Sequence, residues 1–275
     1  MRVCLIADRE DHPVLSAAMA ILGSHHEGRV ILPADVASDP ARRSELDQPA
    51  DVYLLKSRSP VALELGTLLV DQGAIVINHP RATAACLDRA AMAGRLRKAG
   101  LPHPVTTVSP RLADLSAPHD SLRFPLMIKS QHSRRGDLVA KMNAPNDIAR
   151  LQMEWAEEPV VIQAFTPGSG YDLKLWVIGD NLHAARRRSP LETGATGASK
   201  QNLPLEREVT VQLESLGRSV GKALSLDVYG VDVIMSAEGP MIVDVNAFPG
   251  FRGVEDAPGL LAALVERSAA AAGAR

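Results

Sequence analysis

Near the C-terminus, Gly230-Val231-Asp232-Val233-Ile234-Met235 and Met241-Ile242-Val243-Asp244-Val245-Asn246 flank a short turn through Glu238-Gly239. Two β-branched runs separated by turn residues read as one β-hairpin. With the turn centred on Glu238, Asp232 lies directly opposite Asp244, and Asn246 follows on the same face because strand side chains alternate with period two. Val231, Val233, Met235, Met241, Val243 and Val245 then form a wholly apolar opposite face. Carboxylates opposed across a ladder repel, and the hairpin holds no Lys or Arg to relieve them. A bound cation would supply that relief. Two carboxylates and an amide suit magnesium, which shares its remaining positions with water and substrate phosphates. Asp232, Asp244 and Asn246 are the expected metal ligands, and phosphoryl chemistry is the expected consequence.

With 275 residues, 46% of them hydrophobic, the chain can bury a substantial core as one large domain or two to three small lobes. A net charge of −2 gives no global electrostatic case for binding nucleic acid or a membrane surface, which leaves a small-molecule partner. Cys4 and Cys86 stand far apart without metal-ligand spacing, which argues against a disulfide framework or a zinc site and fits a reducing compartment. The N-terminal apolar run is too short for a secretory signal, and no stretch is long enough to span a bilayer, so a cytoplasmic location is expected. The Ala-rich C-terminal tail reads as a frayed helix end. Oligomeric state is left open.

Apolar strands at 2–7, 52–55 and 74–77 alternate with helical sequence, including 13–22 with Pro13 in its first turn, and predict a small parallel α/β lobe. A helix over 81–99 stops at Gly100 with Pro102 beyond and leads out of this lobe. Strands at 126–129, 138–142 and 160–165 with a helix at 146–157 predict an α+β lobe. After the Pro167-Gly168-Ser169-Gly170 break come strands at 172–178 and 182–186, a polar loop over 193–202, a helix over 206–224 and the hairpin. The expected division is 1–85, 86–167 and 168–275.

Lys129 ends a strand and opens the loop Ser130 to Asp137, where it can meet nucleotide phosphates as a point charge while a flexible loop bearing Arg134 and Arg135 closes over them. A snorkelling lysine beside a solvated basic turn is the plainer alternative. Gln163-Ala164-Phe165 ends a strand before a break and can offer backbone groups to an adenine edge, with Asp172 near for ribose; an ordinary connection fits as well. Lys174 lies on the polar face of its strand. Arg186 and Arg188 share a face, leaving Arg187 to solvent. Lys56 and Arg58 follow the strand 52–55, at the end where parallel α/β sheets bind ligands.

The order of Lys129 with its loop, Gln163 to Phe165, Asp172 and Lys174, Asp232, and Asp244-Val245-Asn246 resembles the ATP-grasp superfamily from about residue 85 onward. The resemblance implies two α+β lobes clamping ATP, behind an N-terminal lobe that helps to bind the acceptor. It implies ATP contacts from Lys129 and Arg89, an adenine edge at Gln163, Ala164 and Phe165, and magnesium on Asp232, Asp244 and Asn246.

Two branches fit. Leu87-Asp88-Arg89, Tyr171 to Lys174, Arg188-Ser189-Pro190 and the run from Ile242 through Gly250 and Arg252 to Val254 look like inositol 1,3,4-trisphosphate 5/6-kinases. That branch implies an ATP contact at Ser189 and acceptor contacts from Lys56, Lys174 and Asn246. The basic set Lys56, Arg58, Lys174 and Arg252, with Gly250, would receive an anionic polyol. Lys174, Arg186 and Asn246 would act at the transferred phosphoryl group. RimK-type glutamate ligases share the core but more often carry Asp-Lys at Asp88-Arg89 and Arg at Lys174. Their arginine and asparagine loop is matched here only by Asn202, in Gly197 to Asn202. The leading expectation is a magnesium- and ATP-dependent kinase acting on a hydroxyl of an anionic polyol. The alternatives are a carboxylate-amine ligase working through an acyl phosphate and a nucleotide-binding regulator without turnover.

Overall fold

The computed structural model describes residues 1–38, 48–115, 122–189, 202–205 and 207–273. Three four-stranded sheets follow one another along the chain. The first holds β1 (Arg2–Ile6), β2 (Glu27–Ile31), β3 (Val52–Leu55) and β4 (Ile75–Ile77) in the order β2-β1-β3-β4, all parallel. Helices α1 (Pro13–Gly23), α2 (Pro33–Ser38) and α3 (Pro60–Asp71) connect them, each opening on proline, whose fixed φ and missing N–H suit a first turn. The strand order reverses between β1 and β3, so a crevice opens beyond their carboxyl ends. Arg9, Lys56 and Arg58 follow those ends.

The helix expected over 81–99 is two: α4 (Pro80–Leu87) and α5 (Arg89–Lys98). Asp88 separates them, in extended conformation, and its carboxylate caps α5 by accepting from the N–H groups of Ala90 and Ala91. The second sheet orders β5 (Thr106–Ser109), β6 (Leu126–Ser130), β7 (Val139–Met142) and β8 (Val160–Ala164) as β5-β8-β6-β7, antiparallel throughout, with α6 (Pro145–Trp155) between β7 and β8. The third orders β9 (Tyr171–Ile178), β10 (Asn181–Arg188), β11 (Val228–Ser236) and β12 (Gly239–Ala247) as β10-β9-β11-β12, also antiparallel. Helix α7 (Arg207–Leu224) precedes β11, and α8 (Ala257–Gly273) ends the described chain. Strands β2 and β5 are additions to the sequence reading. Their apolar runs are short, and in β2 they are interrupted by Glu27, Gly28 and Arg29.

The two faces of the third sheet have different covers. Leu173, Leu175, Val177, Val231, Val233, Ile242 and Val245 pack against α4, α5 and α7 in one core. On the opposite face Trp176, Ile178, Phe248 and Phe251 share a core with Val3, Leu5, Leu15 and Leu22 of the first lobe and with Leu261 and Val265 of α8. The C-terminal segment expected to fray is thus the second half of a helix whose first turns are buried. On the rest of that face Asp172, Asp232 and Asp244 line the gap to the second sheet, and Lys174 lines the gap to the first lobe.

Asn78, fully buried after β4, ties the first lobe to the third sheet. Its amide donates to the carbonyl of Val228 at 2.7 Å and accepts from the N–H groups of Asp227 and Val228 at 2.9 and 2.8 Å. Truncation would take the partner from the N–H groups of Asp227 and Val228, while the Val228 carbonyl would keep the N–H of Phe248. Asn78→Ala should lower unfolding stability by about 2–4 kcal/mol, as measured by urea titration. Asn78→Asp, which keeps the acceptor but loses the donor, should also destabilise; wild-type midpoints in both would show that the staple carries no weight.

Candidate active site

Asp232 and Asp244 are register partners across β11 and β12, but the turn does not put them there. Ser236 pairs with Gly239 in a tighter hairpin, and a bulge between Asp232 and Val233 restores the opposition. The bulge leaves Val243 without a partner and reverses the alternation beyond it. Ile242 is fully buried in the core, whereas Val243 and Asp244 both line the cleft, so Ile242 occupies the apolar face expected of Met241 and Val243.

The charges of the pair are balanced by cations from elsewhere in the chain. Lys174, opposite Asp232 on β9, donates to its carboxylate, and the Asn246 amide lies 3.4 Å from the same group. Arg89 at the start of α5 reaches Asp244 at 3.9 Å and spends its other arm on Asp137 and the carbonyl of Ser130, both at 2.7 Å. Lys129 crosses from β6 of the second sheet to donate to the carbonyl of the bulged Val243 at 2.9 Å. No Lys or Arg lies within the hairpin, as the sequence says, but three converge on it from other elements. Burial pushes the Asp244 carboxyl upward, against the pull of Arg89 and Lys129, and Asp232 adds to the rise. Burial likewise holds the Lys129 ammonium below its ordinary value, opposed by Asp244 and partly reinforced by Arg89. The Lys129 side chain is buried, whereas that of Asp244 keeps 23% of its surface exposed on the cleft side.

On one side of this cluster is a slot of about 180 Å³ between the second and third sheets. Its walls include Met127, Val139, Ile234 and Val243, with Gln163, Ala164, Phe165 and Asp172 at its rim. Arg89, Lys129, Asp232 and Asp244 close its inner end. The Gln163 side chain is turned away to Thr106, which leaves the edge to the backbone and Ala164. Lys141 on β7 stands 3.8 Å from the centre of the Phe165 ring. Lys141 and Phe165 are distant in sequence, so no local pattern announces this contact. The loop after Lys129 is held to the body of the protein. Arg134 makes a two-pronged ion pair with Glu158 at 2.7 and 2.8 Å, His132 bridges to Asp88, and Asp137 is taken by Arg89. The flexible, closing loop expected here is accordingly found docked.

On the other side is a cavity of about 720 Å³ between the first lobe and the third sheet. Lys56, Arg58, Lys174, Gly250 and Arg252 line it as expected, together with Arg9 and Arg187. Lys56 donates to the carbonyl of Phe248 at 2.7 Å, and burial, with Arg58 adjacent, brings its ammonium down to about 8. Arg187 reverses an expectation. It pairs with Asp172, so it shares the site face, stacks over Trp176 at 5.1 Å and donates to the Asn202 side chain at 2.7 Å. Arg186 pairs with Leu173 on the opposite face and lies by Tyr171, outside both cavities. Reading the three arginines without a register left the choice between faces undetermined. Ser189 is buried beyond β10, its N–H bonded to the carbonyl of Gly170. Residues 190–201, including most of the expected loop before Asn202, lie outside the described residues.

The RimK-like ATP-grasp domain pattern matches residues 87–264. The chain belongs to the RimK-like ATP-grasp family. A protein of Histophilus somni described as a probable alpha-L-glutamate ligase is 27% identical over 237 residues, covering 80% of this chain and 79% of its own. One of the same description from Vibrio cholerae is 27% identical over 192 residues, and the match spans 62% of that relative's length. Among solved structures, a RimK domain ATP-grasp protein of Sphaerobacter thermophilus superposes with a TM-score of 0.72 at 24% identity, over 97% of this chain and all of that one. D-alanine–D-alanine ligase of Bacillus anthracis complexed with ATP gives 0.72 at 16% identity, over 99% and 98%. These likenesses confirm the ATP-grasp fold. The names of the relatives back the carboxylate-amine ligase alternative better than the kinase expectation.

The crossing of Lys129 onto the acidic hairpin generates a prediction. Lys129→Met should destabilise the wild type more than it destabilises the Asp244→Asn variant, because Asp244 is among the charges that compensate the buried ammonium. A favourable coupling of about 1–2 kcal/mol is expected from the cycle at neutral pH. Additive losses would show that the two charges do not interact.

Proposed function

We propose that this RimK-like chain is an ATP-dependent carboxylate-amine ligase. The observation that carries the reading is the meeting of two cavities at one cluster. An apolar-walled slot that ends on Arg89 and Lys129 and a basic cavity suited to an anionic acceptor touch the same sheet face, with Asp232, Asp244, Lys174 and Asn246 between them. Relatives named as glutamate ligases and a structural neighbour complexed with ATP support it.

In this reading adenine lies against Met127, Val139 and Ile234 with its edge toward Gln163 to Phe165, and Asp172 receives the ribose. Lys129 and Arg89 meet the phosphates as fixed positive charges. Asp232, Asp244 and Asn246 share one face; with the Asn246 amide, which now turns its NH2 to Asp232, rotated to offer its oxygen, they would make a donor set that fits magnesium. Such an ion, when bound, would neutralise phosphate charge. Lys174 would then exchange its bond to Asp232 for the acceptor. The acceptor carboxylate attacks the γ-phosphorus, the bond to the β-phosphate oxygen breaks, and ADP leaves an acyl phosphate. An amine attacks its carbonyl carbon, phosphate departs with the bonding pair, and loss of a proton from nitrogen leaves the amide. Arg187, paired with Asn202, is placed to hold the acceptor end. We assign acceptor binding to residues 1–85, nucleotide covering to 86–167 and the acidic hairpin to 168–275. Helices α4 and α5 lend their apolar faces to the last of these.

The test supplies ATP, L-glutamate as amine and a pool of small carboxylic acids, and follows phosphate and product mass. Free phosphate should appear in step with ADP only when both organic substrates are present, and label from glutamate should enter the product. Label from γ-labelled ATP retained in an organic ester, with no need of an amine, would return the kinase reading.

A further inference from the structure

The basic cavity is more strongly charged than one carboxylate requires. Its cations lie on two opposed walls. Arg9, Lys56 and Arg58 come from the carboxyl ends of β1 and β3, while Lys174, Arg187 and Arg252 come from the third sheet and the segment after it. Among the described residues, no Asp or Glu lines it. The acids nearby are engaged at its edge: Asp8 accepts from the buried Ser57, and Asp11 stands 3.4 Å from Arg9. Lys174 is balanced by Asp232. Among the described residues, neither Arg58 nor Arg252 has a carboxylate partner within ion-pair distance, and Arg187 bonds only neutral groups. Helix α1 also begins at the cavity, with His12 and Pro13 in its lining, so its positive end adds to the field.

Like charges held together around a concave space, with aromatic Trp176, Phe248 and Phe251 as floor, are unfavourable until something anionic enters. A monocarboxylate beside Lys174 and Arg187 would leave the far wall unanswered. The volume suits a small molecule.

We propose that the acceptor is a small polyanion with at least three anionic groups: the reacting carboxylate at the Lys174 and Arg187 end, and two or more further groups, carboxylate or phosphate, at the Arg58 and Arg252 walls. The assignment of the reacting end rests on the ligase reading. The count of anionic groups rests on the cavity alone.

The experiment measures binding without turnover, so that it can fail separately from the ligase test. Protein loaded with Mg-ADP is titrated calorimetrically at low salt with acetate, succinate and tricarballylate, and with 3-phosphoglycerate to compare a phosphate with a carboxylate at the far end. Tricarballylate should bind roughly tenfold or more tighter than succinate, with acetate weaker still. Arg58→Gln and Arg252→Gln should each reduce that preference by about tenfold while ADP affinity, which reports an intact fold, stays within about twofold. If 3-phosphoglycerate surpasses succinate, a phosphate is the better far-end group; if only tricarballylate does, carboxylates are. Equal affinities across the series, or a preference untouched by both substitutions in protein that still binds ADP, would overturn the proposal.

Discussion

Two carboxylates face each other across one β-ladder, and cations from three separate elements hold them there. At a cross-strand spacing of about 5 Å and an effective dielectric near 20, two unit charges repel by about 3 kcal/mol, a sizeable part of a domain's whole stability. Lys174 comes from the neighbouring strand, Arg89 from the start of α5, and Lys129 from another sheet. The same interaction that makes the acids tolerable therefore draws the second sheet over the third and closes the inner end of the slot. Ligand phosphates and a metal would compete for these partners, so binding there exchanges one set of balanced charges for another.

The sheet behind the cluster divides its work by residue position. Strand β9 sends Leu173, Leu175 and Val177 into one core and Asp172, Lys174 and Trp176 to the other side. Along that second side the polar end meets the slot, and Trp176 begins the apolar end buried under the first lobe and α8. Packing of the first lobe thus fixes one wall of the basic cavity. Asn78 joins the same lobes from below, at the start of β11. A rigid seam beside a charged cleft positions acceptor groups relative to the carboxylates without requiring the hairpin itself to move.

Most of the architecture was legible because long strands and helices carry their own pattern. The hairpin, α7 and the parallel alternation of the first lobe follow from periodicity, and the superfamily resemblance follows from the order of Lys129, Asp172, Lys174, Asp232 and Asp244. What escaped was pairwise. The bulge that brings Asp232 opposite Asp244 depends on how β12 meets its neighbour, so the face of Ile242 and Val243 came out reversed. Arg187 rather than Arg186 enters the cavity because β10 pairs with β9 in one register, which three consecutive arginines cannot announce. Tethering of the Ser130 to Asp137 loop by Glu158 and Arg89 likewise joins residues distant in sequence. The kinase expectation weighed local strings around Asn246. The relatives across the family's span weigh the other way.

The most direct test is a crystal structure of the protein with Mg-ADP. The nucleotide should lie in the slot between the second and third sheets, its phosphates on Lys129 and Arg89, with metal density on Asp232, Asp244 and Asn246 and Lys174 released from Asp232 toward the basic cavity. A nucleotide bound elsewhere, or one in the slot with Lys174 still on Asp232 and no metal at the acidic pair, would contradict the account.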